Sequence, residues 1–217
     1  MDSLKYIFAL LVSCLIAGNS NAQTLELTSD QQEAVKARVL QIVEEFRVRL
    51  SKITNNNLTH EARKEHVNST LRLFIGNGES YSCFDEETGK PTTHSGVKIE
   101  FSDMEGEMKR SQLLKKYIYR LYNPQTGKTM YPYHGMNIVA ADAVVCDNIK
   151  KIGDHYECIA YYHVKYLQRT NEGTRFTICP SLTRKMRCYI SPIELPTGEV
   201  IFPVKLGDIY TVENKLK

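Results

Sequence analysis

Seven apolar residues, Val35, Val39, Ile42, Val43, Phe46, Leu50 and Ile53, recur at intervals of three and four and lie on one side of a helix. The other side carries Lys36, Arg38, Glu44, Glu45, Arg47 and Arg49. Ser29 followed by Gln32 has the spacing of a capping box at the start, and Asn55-Asn56-Asn57 stops the run. This predicts an amphipathic helix of about six turns. Such a stripe is not stable alone in water, so the rest of the chain must supply the surface that covers it.

A second helix is predicted from Thr59 as its N-cap, through Ala62, Val67, Leu71 and Phe74, to a left-handed stop at Gly76. Tyr81-Ser82-Cys83-Phe84 and Val97-Lys98-Ile99-Glu100-Phe101 read as two strands joined through Thr88-Gly89-Lys90. A third helix over roughly 107–122 would present Leu114, Ile118 and Leu121 and end before Pro124. The remainder is strand and turn: 137–146, 156–168, 174–179, 186–191 and 200–206 are rich in Val, Ile and Tyr and are punctuated by Gly153, Gly173 and Thr197-Gly198. The fold class expected is α+β, a curved antiparallel sheet wrapped around three helices in the order helix-helix-strand-strand-helix-strands.

With this element order across Asp30–Val212, and with Leu71-Arg72-Leu73-Phe74-Ile75-Gly76 closing the second helix, the chain resembles the nuclear transport factor 2-like (cystatin-like cone) superfamily, and is similar to its small exported bacterial members. The resemblance implies a cone-like sheet. Members of the superfamily include isomerase-like and dehydratase-like enzymes, transport adaptors and noncatalytic binding or assembly modules, so it leaves function open.

The chain has 217 residues and a net charge of +3. Residues 1–22 read as a signal peptide: one Lys, an apolar stretch Tyr6–Ala17 too short to span a bilayer, and small residues in Ser20-Asn21-Ala22 before a cut ahead of Gln23. Residues 23–217 then form a single domain, exported to a periplasm or secreted. The competing reading is a lipoprotein box, Leu11-Val12-Ser13-Cys14, with a lipid on Cys14. No later segment is apolar enough to span a membrane. Five of the six cysteines lie beyond the leader, an odd number that leaves one free or intermolecular. The small charge is spread along the chain without a basic stripe, so nucleic acid is not an expected partner.

Motifs for chemistry are few. His60 and His66 are six apart, about 240° around a helix, and cannot share a zinc ion as histidines four apart do. There is no Cys-x-x-Cys pair, Gly-x-Ser-x-Gly elbow or phosphate loop, and neither metal nor cofactor is expected. His155 and Cys158, three apart in a strand, point to opposite faces. Tyr131-Pro132-Tyr133-His134 reads either as an exposed aromatic edge for recognition or as a loop covering the sheet.

The one oddity is Asp142, a lone carboxylate in Ile138-Val139-Ala140-Ala141-Asp142-Ala143-Val144-Val145. In apolar surroundings it would be a candidate general acid or base; satisfied by a neighbouring Lys or hydroxyl, or turned to solvent by a bulge, it would be structural. A three-residue loop Lys151-Ile152-Gly153 would put Lys150 opposite Asp154. The cross-strand pairs would then be Cys146 with Cys158, Val144 with Ala160, Asp142 with Tyr162, Ala140 with Val164 and Ile138 with Tyr166, all on one face. Asp142, Tyr162 and Tyr166 are therefore the candidate ligand-binding residues on a concave face, and Cys146 and Cys158 a candidate disulfide. The function expected is a noncatalytic exported module binding a small ligand or an envelope or secreted partner protein through that face. The alternatives are a small isomerase-like or hydrolase-like enzyme built on Asp142, and an envelope-assembly or structural component. The sequence is compatible with a homodimer.

Overall fold

The computed structural model describes residues 26–85, 88–102, 109–129, 136–145, 149–169, 176–178 and 182–212. The leader (residues 1–22), Cys14, Tyr131–His134, Cys146 and Cys179 lie outside them.

The apolar stripe becomes α1, Ser29–Thr54. Its capping box is set one residue earlier than predicted: the Thr28 hydroxyl accepts from Gln31 N, and the Gln31 side chain accepts from Thr28 N. Val39, Val43, Phe46 and Ile53 are fully buried. Helix α2, His60–Leu71, starts at the predicted Thr59 cap. It ends before Gly76, whose positive φ instead belongs to a short 3-10 turn over Ile75–Gly78. Arg63 on α2 closes the end of α1, donating Nε to Ile53 O (2.8 Å) and Nη1 to Asn56 Oδ1 (3.3 Å), with its guanidinium 3.7 Å from the Tyr122 ring centre.

Among the described residues four strands, not two, separate α2 from the third helix. Tyr81–Asp85 (β1) and Lys90–His94 (β2) form a separate antiparallel hairpin, so the Thr88-Gly89-Lys90 turn joins β1 to β2. Lys98–Ser102 (β3) pairs antiparallel with Lys109–Leu113 (β4). The helix expected over 107–122 therefore begins only at Leu114 and runs to Leu121 (α3). Then come Met136–Val145 (β5), Lys150–Ile152 (β6), His155–Arg169 (β7), Phe176–Ile178 (β8) and Leu182–Ile190 (β9). A two-strand ribbon, Ile193–Glu194 (β10) with Val200–Ile201 (β11), leads to Val204–Thr211 (β12).

The main sheet runs β4-β3-β12-β9-β7-β5, with β6 and β8 also on β7. It is open, and antiparallel except where β12 lies parallel to β3. With three helices among the described residues, the architecture is α+β. Helix α1 covers one sheet face: Phe46 meets Phe74 and Tyr162 edge-on, with ring centres 5.1 and 6.1 Å apart, and Ala160, Met186, Cys188 and Leu206 complete this core. Among the described residues no helix is long and apolar enough to cross a membrane.

Candidate functional site

The hairpin register departs from the sequence reading at its turn. Lys150 faces Glu157 and Ile152 faces His155, so Gly153-Asp154 is a two-residue turn with φ 61° at Gly153, the pattern of a Gly-first hairpin. Val145 then faces Ala160 and Val144 faces Tyr161, rather than Val144 facing Ala160. An irregularity between Ala140 and Ala143 restores the predicted pairs of Ala140 with Val164 and Ile138 with Tyr166. Asp142 sits in that irregularity, and Ala143 stands opposite Tyr162. The extra residue of a bulge takes Asp142 out of the predicted pairing. The side chains of Asp142 and Tyr166 lie outside the described residues.

Tyr162 itself is buried beneath α1. The face expected to bind a ligand is filled by core at this point. Cys158 is a free thiol that faces Cys188 on β9.

A cleft lies on the opposite face, where the β1–β2 hairpin meets the ends of β7 and β9. Its volume is about 480 Å³. Ile75, Phe84 and Pro91 supply apolar surface, while Cys83, His155 and Tyr189 bring polar atoms to it. Alternation along β9 explains the placement: Cys188 and Ile190 enter the core under α1, so Tyr189 is turned to the other face. Its ring packs against Tyr81 (6.5 Å between centres, 67° between planes) and against His155 (5.7 Å).

Two glycines make room. At Gly207 a Cβ would overlap Tyr189 Cε2 and stand 3.2 Å from Cδ2, so only a residue without a side chain fits beneath that ring. At Gly153 a Cβ would come 2.9 Å from the Phe84 ring, which brings the hairpin tightly onto the turn.

Tyr189 stands beside Tyr81, Cys83 and Arg187 in the wall of the cleft. Burial, with Tyr81 and Cys83 adding, pushes the Tyr189 phenol far up; burial and then Asp208 do the same to Tyr81. Both therefore stay protonated through the physiological range and can act as donors. The Cys83 thiol is pushed up by burial, against the pull of its bond with Tyr189, and stays a thiol.

His155 lies between two carboxylates, with Nε2 3.1 Å from Glu157 Oε1 and Nδ1 3.1 Å from Asp154 Oδ1. Glu157 is 12% exposed and also meets Arg187 Nε at 3.6 Å. Burial alone would lower the Arg187 guanidinium, but Glu157, Tyr189 and Tyr210 outweigh it and hold the charge firmly. This arrangement offers hydrogen bonds and an apolar wall. It does not present a nucleophile paired with a free base.

Among the described residues no three His, Cys, Asp or Glu side chains are grouped to hold a metal ion. His60 and His66 separate as expected: His60 Nδ1 is 2.6 Å from Tyr122 Oη, while His66 faces Arg49 and Lys52 of α1.

Sequence reasoning missed Tyr189, Glu157 and Arg187. Their only signal was alternation in Met186–Ser191 and in Tyr156–Gln168, which places residues on a face without saying what covers it. Compared with known proteins, the chain matches no known family, no curated protein and no solved structure.

Proposed function

We infer that this chain is a noncatalytic binding module for a small, largely apolar ligand that carries a hydrogen-bonding group. The observation behind this reading is the cleft of about 480 Å³, within the roughly 300–1,000 Å³ range of small-molecule sites. Phe84 and Pro91 would cover the apolar part of the ligand, while the Tyr189 and Tyr81 phenols would orient its polar end. Against turnover stand the raised Cys83 thiol and a His155 ring engaged on both nitrogens.

The wider reading places the module outside the cytoplasm as a member of the nuclear transport factor 2-like superfamily with a cone-like sheet. It is supported by the leader-like residues 1–22 and by the long first helix lying across the sheet.

An NMR titration of the folded chain with a panel of small amphipathic phenols, alcohols and carboxylic acids tests the binding site. Saturable shifts clustered at Ser82, Cys83, Gly153 and Tyr189, weakened by Phe84→Ala, are expected. Saturable shifts confined to other surfaces would overturn the site, and so would no saturable shift for any member of the panel.

A further inference from the structure

Cys158 and Cys188 stand directly opposite each other on the antiparallel strands β7 and β9. Opposite residues of such a pair share a face, and their Cα atoms lie about 4.5–5.5 Å apart. That spacing falls inside the roughly 4.4–6.8 Å that a disulfide spans. Both side chains are buried, at 3% and 0% exposure, and each thiol is within hydrogen-bonding reach of the other. Leu206 of β12 is the cross-strand partner of Cys188 on its other side, and the Cys188 thiol donates to the Met186 carbonyl on its own strand at 3.8 Å. A single buried cysteine is a small apolar filler. Two in register on neighbouring strands are placed to be joined.

We propose that Cys158 and Cys188 are an oxidisable dithiol that closes into a disulfide by exchange with a small-molecule disulfide such as oxidised glutathione. One cysteine thiolate attacks the incoming S–S bond, forming a mixed disulfide and releasing one thiolate that takes up a proton. The second cysteine gives up its proton, attacks the mixed-disulfide sulfur attached to the first, and expels the second small thiol. The two cysteines lose two electrons and two protons, and the incoming disulfide gains both. Either cysteine can make the first attack, because exchange takes place while the strands are parted and the folded-state contacts between the two thiols are absent.

Because both sulfurs are buried, exchange requires β7 and β9 to part, so closure accompanies folding and is slow in the folded chain.

The test refolds the reduced chain in a buffer of oxidised and reduced glutathione, blocks remaining thiols, and maps the digest by mass spectrometry without reduction. The expected product is a peptide linking Cys158 to Cys188 and lighter by two hydrogens. Cys83, which faces Thr92 across β1–β2, should be alkylated or carry glutathione but join neither. Dithiothreitol should lower the melting temperature of this oxidised chain and leave that of Cys158→Ala/Cys188→Ala unchanged. Two outcomes overturn the proposal: full alkylation of both Cys158 and Cys188 after oxidative refolding, or a link from either one to Cys146, Cys179 or Cys83.

Discussion

Replacing Gly207 by alanine adds one methyl group to the molecule and tests how the cleft is supported. The new Cβ would overlap Tyr189 Cε2 and lie 3.3 Å from the Arg187 carbonyl oxygen. The ring cannot retreat freely, because Tyr81 and His155 pack on it and Tyr189 is only 5% exposed. The backbone at Gly207 is outside the left-handed region, so the substitution adds no conformational strain. Overpacking of this kind costs about 1–3 kcal/mol. A less flexible unfolded chain returns about 0.4–1 kcal/mol. The expected net loss is about 1–2 kcal/mol, or a melting temperature lower by about 2–8 °C for a chain of this size.

Urea unfolding followed by far-ultraviolet circular dichroism measures it, and the double variant identifies the cause. In a Tyr189→Ala background the obstacle is gone, so Gly207→Ala should become neutral within about 0.5 kcal/mol. An equal loss in both backgrounds would show that the cost lies in the backbone. No loss in the wild-type background would show that Tyr189 is not seated on Gly207.

Arg63→Ala should cost about 1–3 kcal/mol, because it strips the Ile53 carbonyl of a buried partner and uncovers the Tyr122 ring. Arg63→Lys should recover little, since an ammonium neither forks nor stacks; full recovery in urea unfolding would contradict the geometry. His66 is held below its ordinary value of 6.5 by burial and then by Arg49 and Lys52, with Glu65 opposing. As pH falls below 6.5 the unfolded chain takes the proton first, so the folded state loses stability until the lowered folded value is passed. His66→Gln should flatten that part of the profile, and urea midpoints with an unchanged slope would reject this sign. Mass spectrometry of the chain recovered outside the producing cell should show an N-terminus at Gln23; a lipid on Cys14 would favour the anchored alternative.

Where the sequence was readable, a face had to be buried. The α1 stripe fixes which residues enter the core, and α3 keeps its Leu114, Ile118 and Leu121 contacts although its start moves. The boundaries failed where local signals were degenerate. Thr28 and Ser29 each have a glutamine three residues on, so spacing cannot choose between them. Lys109–Leu113 has good helix formers, but pairing with β3 gives its backbone a partner, and tertiary context overrides propensity.

The Asp142 register failed for a different reason: the turn at Gly153-Asp154 moves the pairing by three residues, of which two are recovered between Lys150 and Val145 and the last between Ala143 and Ala140, so only the far end of the strand pairs as expected. The cleft was illegible because β2, Lys-Pro-Thr-Thr-His, carries no apolar period, and the contacts that hold the hairpin in place, Tyr81 on Tyr189 and Phe84 on Gly153, are long-range.

The position of β12 governs the order in which this molecule can assemble. The strand lies between β3 and β9, with Ile99 beside Ile209 on one flank and Met186 on the other. Until residues 204–211 have left the ribosome, the β3–β4 hairpin and the strands around β7 are two fragments, each with an unpaired inner edge. Such edges invite pairing with other chains, and the joining contact between Ile99 and Ile209 crosses more than half of the chain. Long-range pairing of this kind is slow. The nascent chain therefore spends an aggregation-prone interval just before β12 arrives, and a chaperone that shields strand edges would act in that interval.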